Sequence, residues 1–254
     1  MNAAAQRPIS FLQKSMRKCG IWLAVLPVLA SSFAQAQSAL NIHLWINGAS
    51  AGQWTPAIIN TGSGYMVNDV HYNPVGASIF CYNMTLDFDP FISASVDVVN
   101  NTASVQNYTL IFTLPISPAI TPDSRMGGST QGGVTDANFD GIGTLSTQGP
   151  GTAMYYGQID GVNVLPLFPY PTTISVPFQG GSASSFTSAG LPGPTIPGPA
   201  ALTSIGIEHQ FSLTPGDRAT FTSFFVVQPA PVPEPTSFSL LAIGGLMLLW
   251  RRRR

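Results

Sequence analysis

The chain has 254 residues, of which 44% are hydrophobic and only 8% charged. Its formal net charge of −1 hides unlike segments: apart from four basic residues before Cys19 and four at Arg251–Arg254, only Arg125 and Arg218 are cationic, against ten acids between Gln37 and Val232, a net of −8 without a single lysine. A surface of that sign cannot release counterions from a phosphate backbone, which excludes nucleic-acid binding and leaves divalent cations or basic polymers as charge-matched ligands.

In the first segment, Arg7, Lys14, Arg17 and Lys18 precede the apolar stretch CGIWLAVLPVLASSF and then Ala34-Gln35-Ala36. A basic leader, an apolar run without a polar face and a small-residue A-x-A site predict a secretory signal peptide over 1–36, cleaved after Ala36 so that the mature chain starts at Gln37. Cys19 leaves with it, and Cys81 alone cannot form an intramolecular disulfide. The remaining ~195 residues must therefore be held by apolar burial, a size at which one core suffices.

From 37 to 227 the signal is strand. NIHLWI and SIFCYNMTLDF are the first candidates, and ISASVDVVNNTASVQNYTLIFTLP predicts a hairpin about Asn100-Asn101-Thr102, with Tyr108, Leu110, Phe112 and Leu114 on one face. Glycine content makes SRMGGSTQGGVTDANFDGIG a loop. Within it Asp136, Asn138 and Asp140 precede Gly141 as D-x-N-x-D-G, the first half of a calcium loop in which alternate oxygens converge and glycine permits the sharp turn. The twelfth position is Thr147 where a bidentate carboxylate is expected, so a polar turn of Asp, Asn and Gly competes with a weak calcium site.

MYYGQI and TTISV continue the strands, and the prolines of SAGLPGPTIPGPA predict a stiff loop leaving the fold. In LTSIGIEHQFSL, Ile205, Ile207, His209, Phe211 and Leu213 alternate with polar or small residues. Pro215-Gly216 suits the centre of a type II turn, and RATFTSFFVV supplies the partner strand of a second hairpin. No apolar 3.6-residue period with caps occurs between Phe33 and the tail. The predicted fold is all-β, an antiparallel β-sandwich, Ig-like or jelly-roll-like.

Catalytic constellations are missing from the pattern. His43, His71 and His209 are scattered without paired metal-ligand spacing, and His209 lies on the apolar face of its strand. Cys81 sits in an apolar run as a small hydrophobe, and Asp87 and Asp89 lack an acidic strand opposite them. A non-catalytic protein without a resident cofactor is expected.

The last segments are a Pro-rich linker over 228–237, in which Pro229, Pro231, Pro233 and Pro235 favour polyproline II, and an apolar stretch with an arginine tail over 238–254. As a helix, Phe238 to Trp250 spans ~20 Å against ~30 Å of bilayer hydrocarbon. Arg251, Arg252, Arg253 and Arg254 would stay cytoplasmic and hold the segment as a temporary stop, a transient inner-membrane association.

Pro233-Glu234-Pro235, a short apolar stretch with Gly244-Gly245 and the Arg251–Arg254 cluster resemble the PEP-CTERM sorting signal of Gram-negative bacteria. The resemblance implies processing by a membrane-embedded exosortase. It also implies delivery to the cell surface or extracellular matrix, with exopolysaccharide and biofilm as the associated partners. The paired segments VVNNTASVQNYTLIFTLP and LTPGDRATFTSFFVV are loosely similar to bacterial Ig-like sandwiches. The alternative expectation is a secreted carbohydrate-active protein that binds or cleaves glycans.

Overall fold

In the computed structural model the described residues are 39–231, apart from Ser63, Asn68, Phe88 and Asp89. The predicted signal peptide with Ala34 and Ala36, and the tail from Val232 onward, lie outside them.

The chain runs through β1 (Asn41–Ile46), β2 (Ala49–Trp54), β3 (Ile58–Asn60), β4 (Tyr65–Val67), β5 (Val70–Tyr72), β6 (Ala77–Asp87), β7 (Phe91–Asn100), β8 (Gln106–Pro115), β9 (Ser124–Thr135), β10 (Thr144–Ser146), β11 (Ala153–Ile159), β12 (Val162–Pro169), β13 (Thr173–Ser175), β14 (Ser182–Ala189), β15 (Ile196–Gly198), β16 (Ser204–Leu213) and β17 (Arg218–Pro229). Two antiparallel sheets result. The first has the order β12-β11-β16-β8-β1-β2, with β10 joining β16 to β13; the second has the order β14-β9-β17-β7-β6-β4-β3, with β15 on β9 and β5 on β6. They pack as a sandwich, as the alternating strands predict.

Period-two alternation sets which side chains face inward. On β8, Tyr108, Leu110, Phe112 and Leu114 are buried, and on β17 Ala219, Phe221, Phe225 and Val227 are buried. Aromatic contacts join the sheets: Phe221 of the second lies 4.5 Å from His209 and 4.9 Å from Phe211 of the first, between ring centroids.

Both predicted hairpins are corrected. β16 pairs with β8, β10 and β11, whereas β17 pairs with β7 and β9. Likewise β7 pairs with β6 and β17, and β8 with β1 and β16. Each expected hairpin is therefore an arch whose strands enter opposite sheets. The two arches stack side by side, β8 on β16 and β7 on β17. Burial decides this outcome, because the inward faces of β16 and β17 are both apolar and cover each other better across the core than side by side in one sheet. Gly216 does adopt the left-handed φ of +72° that the turn requires.

Asn100 fixes the corners. Its fully buried side chain donates from Nδ2 to the carbonyls of Ser104 (2.8 Å), Leu213 (3.0 Å) and Thr214 (3.1 Å). Its Oδ1 accepts from the N–H and the hydroxyl of Thr102 at 3.0 and 2.7 Å. The Asn100 N–H donates to Asp217 O at 2.9 Å, and the Gly216 N–H donates to Asn100 O at 2.8 Å.

The glycine-rich stretch expected as a loop is also corrected, because Ser124–Thr135 forms the inner strand β9 of the second sheet. Its inward glycines make room for bulky neighbours. A Cβ on Gly128 would lie 2.8 Å from Tyr155 Oη, which donates across the core to Phe224 O at 2.8 Å. The reciprocal case is Gly157 on β11, where a Cβ would lie 2.3 Å from the Phe225 ring of the second sheet. The proline-rich SAGLPGPTIPGPA does not leave the sandwich: Ile196–Gly198 pairs with Ser124–Met126, Ser124 Oγ donates to Pro199 O at 2.7 Å, and Arg125 Nη1 donates to Thr195 O at 2.8 Å. β17 continues through Gln228 and Pro229, into the segment expected as linker.

Replacing Asn100 with alanine strands the buried carbonyl of Leu213 and the part-buried carbonyls of Ser104 and Thr214, and should lower unfolding free energy by about 2–4 kcal/mol in denaturant titrations. Asn101→Ala, which removes one exposed bond to Ser78 Oγ, should cost less than about 0.5 kcal/mol. Gly157→Ala should cost about 1–3 kcal/mol through overpacking against Phe225.

Candidate functional site

The D-x-N-x-D-G segment follows β9 and packs on the corner before β17. Asp136 is buried; its Oδ2 accepts the N–H groups of Gly141 and Gly180, both at 2.8 Å, and its Oδ1 accepts that of Asp140 at 3.2 Å. Asp140 Oδ1 accepts the Ile142 N–H at 2.8 Å, and Asn138 Oδ1 accepts that of Asp140 at 3.1 Å. The Asn138 amide donates to Asp140 Oδ2 and to Pro215 O, each at 2.9 Å. The oxygens thus face the loop's own N–H groups, the arrangement of an Asx-type turn.

Burial works to raise the Asp136 carboxyl, but donors from Gly180, Gly141, Asp140 and Phe139 outweigh it and hold the group below the usual carboxylate range. The nearby Asp217 carboxyl is raised, first by burial, with the negative fields of Asp136 and Asp140 adding to it. Among the described residues no three His, Cys, Asp or Glu side chains converge as a metal-binding set. The geometry supports the turn reading of Asp136, Asn138 and Asp140.

The remaining polar candidates are spread over the sandwich. His209 lies fully buried, with Nε2 3.2 Å from Ser223 Oγ, which lies 2.8 Å from Thr130 Oγ1. Burial pushes the imidazole down to about 4, so it is neutral. Ser223 and Thr130 are as buried as the ring, which makes the trio a polar seam inside the core. The Cys81 thiol, also fully buried, is pushed up to about 12 by burial and then by Asp97, so it remains protonated. His43 bonds to Ser50 Oγ at 2.9 Å on the outer face of the first sheet, and His71 stacks on Phe80 at 4.0 Å on the outer face of the second. Asp87 ends β6, and Asp89 lies outside the described residues.

Two buried or anchoring carboxylates were not singled out in the sequence. Glu208 on β16 is 6% exposed and accepts from Gln158 Nε2 at 2.6 Å; burial raises its carboxyl against the lowering effect of Asn163 and Gln158. Asp160 accepts the N–H groups of Leu202, Thr203 and Ser204 at 2.7–2.9 Å and ties the β11–β12 turn to the entry of β16. The Asp-Gly pair at that turn was its available sequence signal.

The outer face of the second sheet carries a trough of about 290 Å³. Gly133 forms its floor, with Gln131 and Thr135 at its two ends along β9, Ser182 and Ser184 on one bank and Thr220 and Thr222 on the other. Phe186, 65% exposed, stands directly across from Gln131. Arg218, directly across from Thr135, is ion-paired with Asp97, which lies in the Gly133 row. No signal in the sequence groups these residues, because register alone brings them together.

A thermal melt with millimolar calcium should give the same Tm as one with chelator, and Asp136→Ala should lower both equally. The depressed carboxyl contributes stability that is present above its unfolded value of about 4 and is lost as pH falls through its lower folded value. The gap between wild type and Asp136→Ala should therefore be full at neutral pH and close below about pH 4, as followed by thermal melts at stepped pH.

No curated protein matches the chain. Residues 231–254 match the family model described as the PEP-CTERM protein-sorting motif. That span contains Pro233, Glu234, Pro235 and Arg251–Arg254, and all of it beyond Pro231 lies outside the described residues. The chain is an exported protein that carries a PEP-CTERM sorting motif and is processed through exosortase for delivery to the cell surface of a Gram-negative bacterium.

Proposed function

We propose that the chain is a non-catalytic surface or extracellular-matrix protein that associates with exopolysaccharide and biofilm. The observation that carries this reading is the sorting motif at 231–254 placed directly behind the sandwich, with β17 ending at Pro229. On this reading the signal peptide opens export, Phe238 to Trp250 holds the chain transiently at the inner membrane, and exosortase releases the sandwich outward.

The chemistry of the sandwich supports a binding role. Its reactive side chains are engaged in structure: Cys81 and His209 are sealed in the core, Asp136 and Asp160 anchor loops, and Asp97 is paired with Arg218. Glycan hydrolysis is the second reading, and Glu208 is the observation that favours it, since a raised carboxyl is what a general acid needs. Its position between the Gln158 and Asn163 amides instead suits a structural carboxylate.

Three measurements test the proposal. The exported protein should begin at Gln37 and end near Pro233-Glu234-Pro235 by N-terminal sequencing and intact mass. Full-length chain ending at Arg254 and retained in the membrane of a strain with an exosortase would overturn the processing route. The exported protein should also fractionate with the polysaccharide matrix, be released when that matrix is digested, and leave glycans uncleaved. Turnover of a glycan by the purified protein would replace the non-catalytic reading with the hydrolytic one.

A further inference from the structure

We infer that the outer face of the second sheet is a binding site for a neutral polysaccharide, with the Gly133 trough as its central subsite. This inference rests on the surface-protein reading above and gives it a ligand class and a location.

The trough exists because β9 carries no side chain at Gly133 while its neighbours do. Gln131 and Thr135 rise on either side of it along the strand, and Ser184 and Thr220 flank it across the ladder. Gly133 has none of the positive φ that would require glycine for the backbone, and a Cβ there would meet nothing nearer than Ala183 O at 3.3 Å. Its missing side chain leaves a depression rather than serving a turn. Hydroxyl and amide groups line that depression, and the side chains of Gln131, Ser184 and Thr220 have no hydrogen-bond partner among the described residues.

At the corner of this polar basin stands the exposed ring of Phe186, set on the strand that edges the sheet. A sugar ring is amphiphilic in the same sense, with hydroxyls around its rim and C–H groups on its faces. Its rim matches the Gln131, Ser184 and Thr220 groups, and a C–H face matches the Phe186 ring. The same face offers a second aromatic station, where the exposed His71 ring stacks on Phe80 at 4.0 Å and Phe80 on Tyr82 at 5.0 Å. Register places Gly133, Thr220, Asp97, Phe80 and His71 in one row across β9, β17, β7, β6 and β5. At the usual strand spacing that row is ~19 Å long, the length of a short oligosaccharide lying across the strands.

Charge selects among glycans. Gln37 to Val232 carries ten acids and two arginines, and on this face Arg218 is already committed to Asp97. Arg125, at the far end of β9 from the trough, is turned to the Thr195 carbonyl, so around the trough an acidic polysaccharide would meet net repulsion, and the ligand is neutral.

The test is affinity electrophoresis of the exported protein in gels containing soluble β-glucan, galactomannan or dextran, with alginate as the acidic counterpart. At least one neutral glycan should retard the wild type and alginate should not. Gly133→Leu fills the trough and should weaken retardation at least tenfold. Phe186→Ala and Gln131→Ala are exposed changes that keep the fold and should each weaken it several-fold, while Thr109→Ala on the first sheet leaves it unchanged. Melting curves verify folding, and if Gly133→Leu does not fold, the Phe186 and Gln131 variants decide. The site is overturned if no neutral glycan retards the wild type, if alginate does so equally, or if the folded variants bind like wild type. Matrix fractionation separates the two levels: variants that lose retardation yet stay in the matrix sink this ligand assignment and leave the surface-protein reading standing, whereas wild type absent from the matrix sinks the latter.

Discussion

The sandwich depends on how one buried amide closes its corners. Asn100 sits where β7 leaves the second sheet, and its side chain reaches the carbonyls that end β16 in the first. A chain that turns from one layer to the other leaves backbone carbonyls in a region that water cannot enter, and each left alone costs about 1–3 kcal/mol. The two N–H bonds of Nδ2, one of them shared, reach the buried carbonyl of Leu213 and the part-buried ones of Ser104 and Thr214. Oδ1 shapes the turn through Thr102, and the backbone of Asn100 extends the β7–β17 ladder to Asp217 and Gly216. The order of both sheets follows, since β8 and β16 must lie beside each other in one layer if β7 and β17 do so in the other.

Between the corners the layers interlock by exchanging volume. Tyr155 reaches from the first sheet toward Gly128, and Phe225 reaches from the second toward Gly157. Each bulky ring occupies the space a neighbouring side chain would have taken, which lets the layers approach closely. The His209, Ser223 and Thr130 seam bridges the same two sheets. Its hydrogen bonds let three polar groups remain buried, and polar contacts are more directional than apolar ones, so the seam also fixes how the sheets are offset.

Strand identity was legible in the sequence where side chains alternate, as in Ile205 to Leu213 and Tyr108 to Leu114. What the sequence hid was partnership. Asn100-Asn101-Thr102 and Pro215-Gly216 are honest turn signals, but a turn between two apolar-faced strands serves a hairpin and an arch equally, and only the rest of the core selects. β9 was hidden for a different reason: glycine is a breaker by propensity, yet at Gly128 the tertiary contact with Tyr155 rewards the missing side chain. The Asn47-Gly48 turn between β1 and β2, with φ of 51° and 78°, was in plain view as an Asn-Gly pair and joins strands of one sheet. Of the candidate sites, Asp136, Asn138 and Asp140 are adjacent in sequence and so could be found there. The trough around Gly133 draws on three strands and could not.

β17 lies between β7 and β9 and leads straight into the sorting segment, its last residue Pro229 paired with Ser124. Any pull transmitted from beyond Pro231 enters the sandwich along this strand's axis. Antiparallel ladder bonds stand perpendicular to that axis, so the load is shared by both ladders at once instead of opening them one after another. Force applied in this shear geometry meets its greatest resistance, and the lifetime of the fold under load is then set by the unfolding rate. A force applied from the C-terminal side would thereby grip the fold at a strand braced on both flanks.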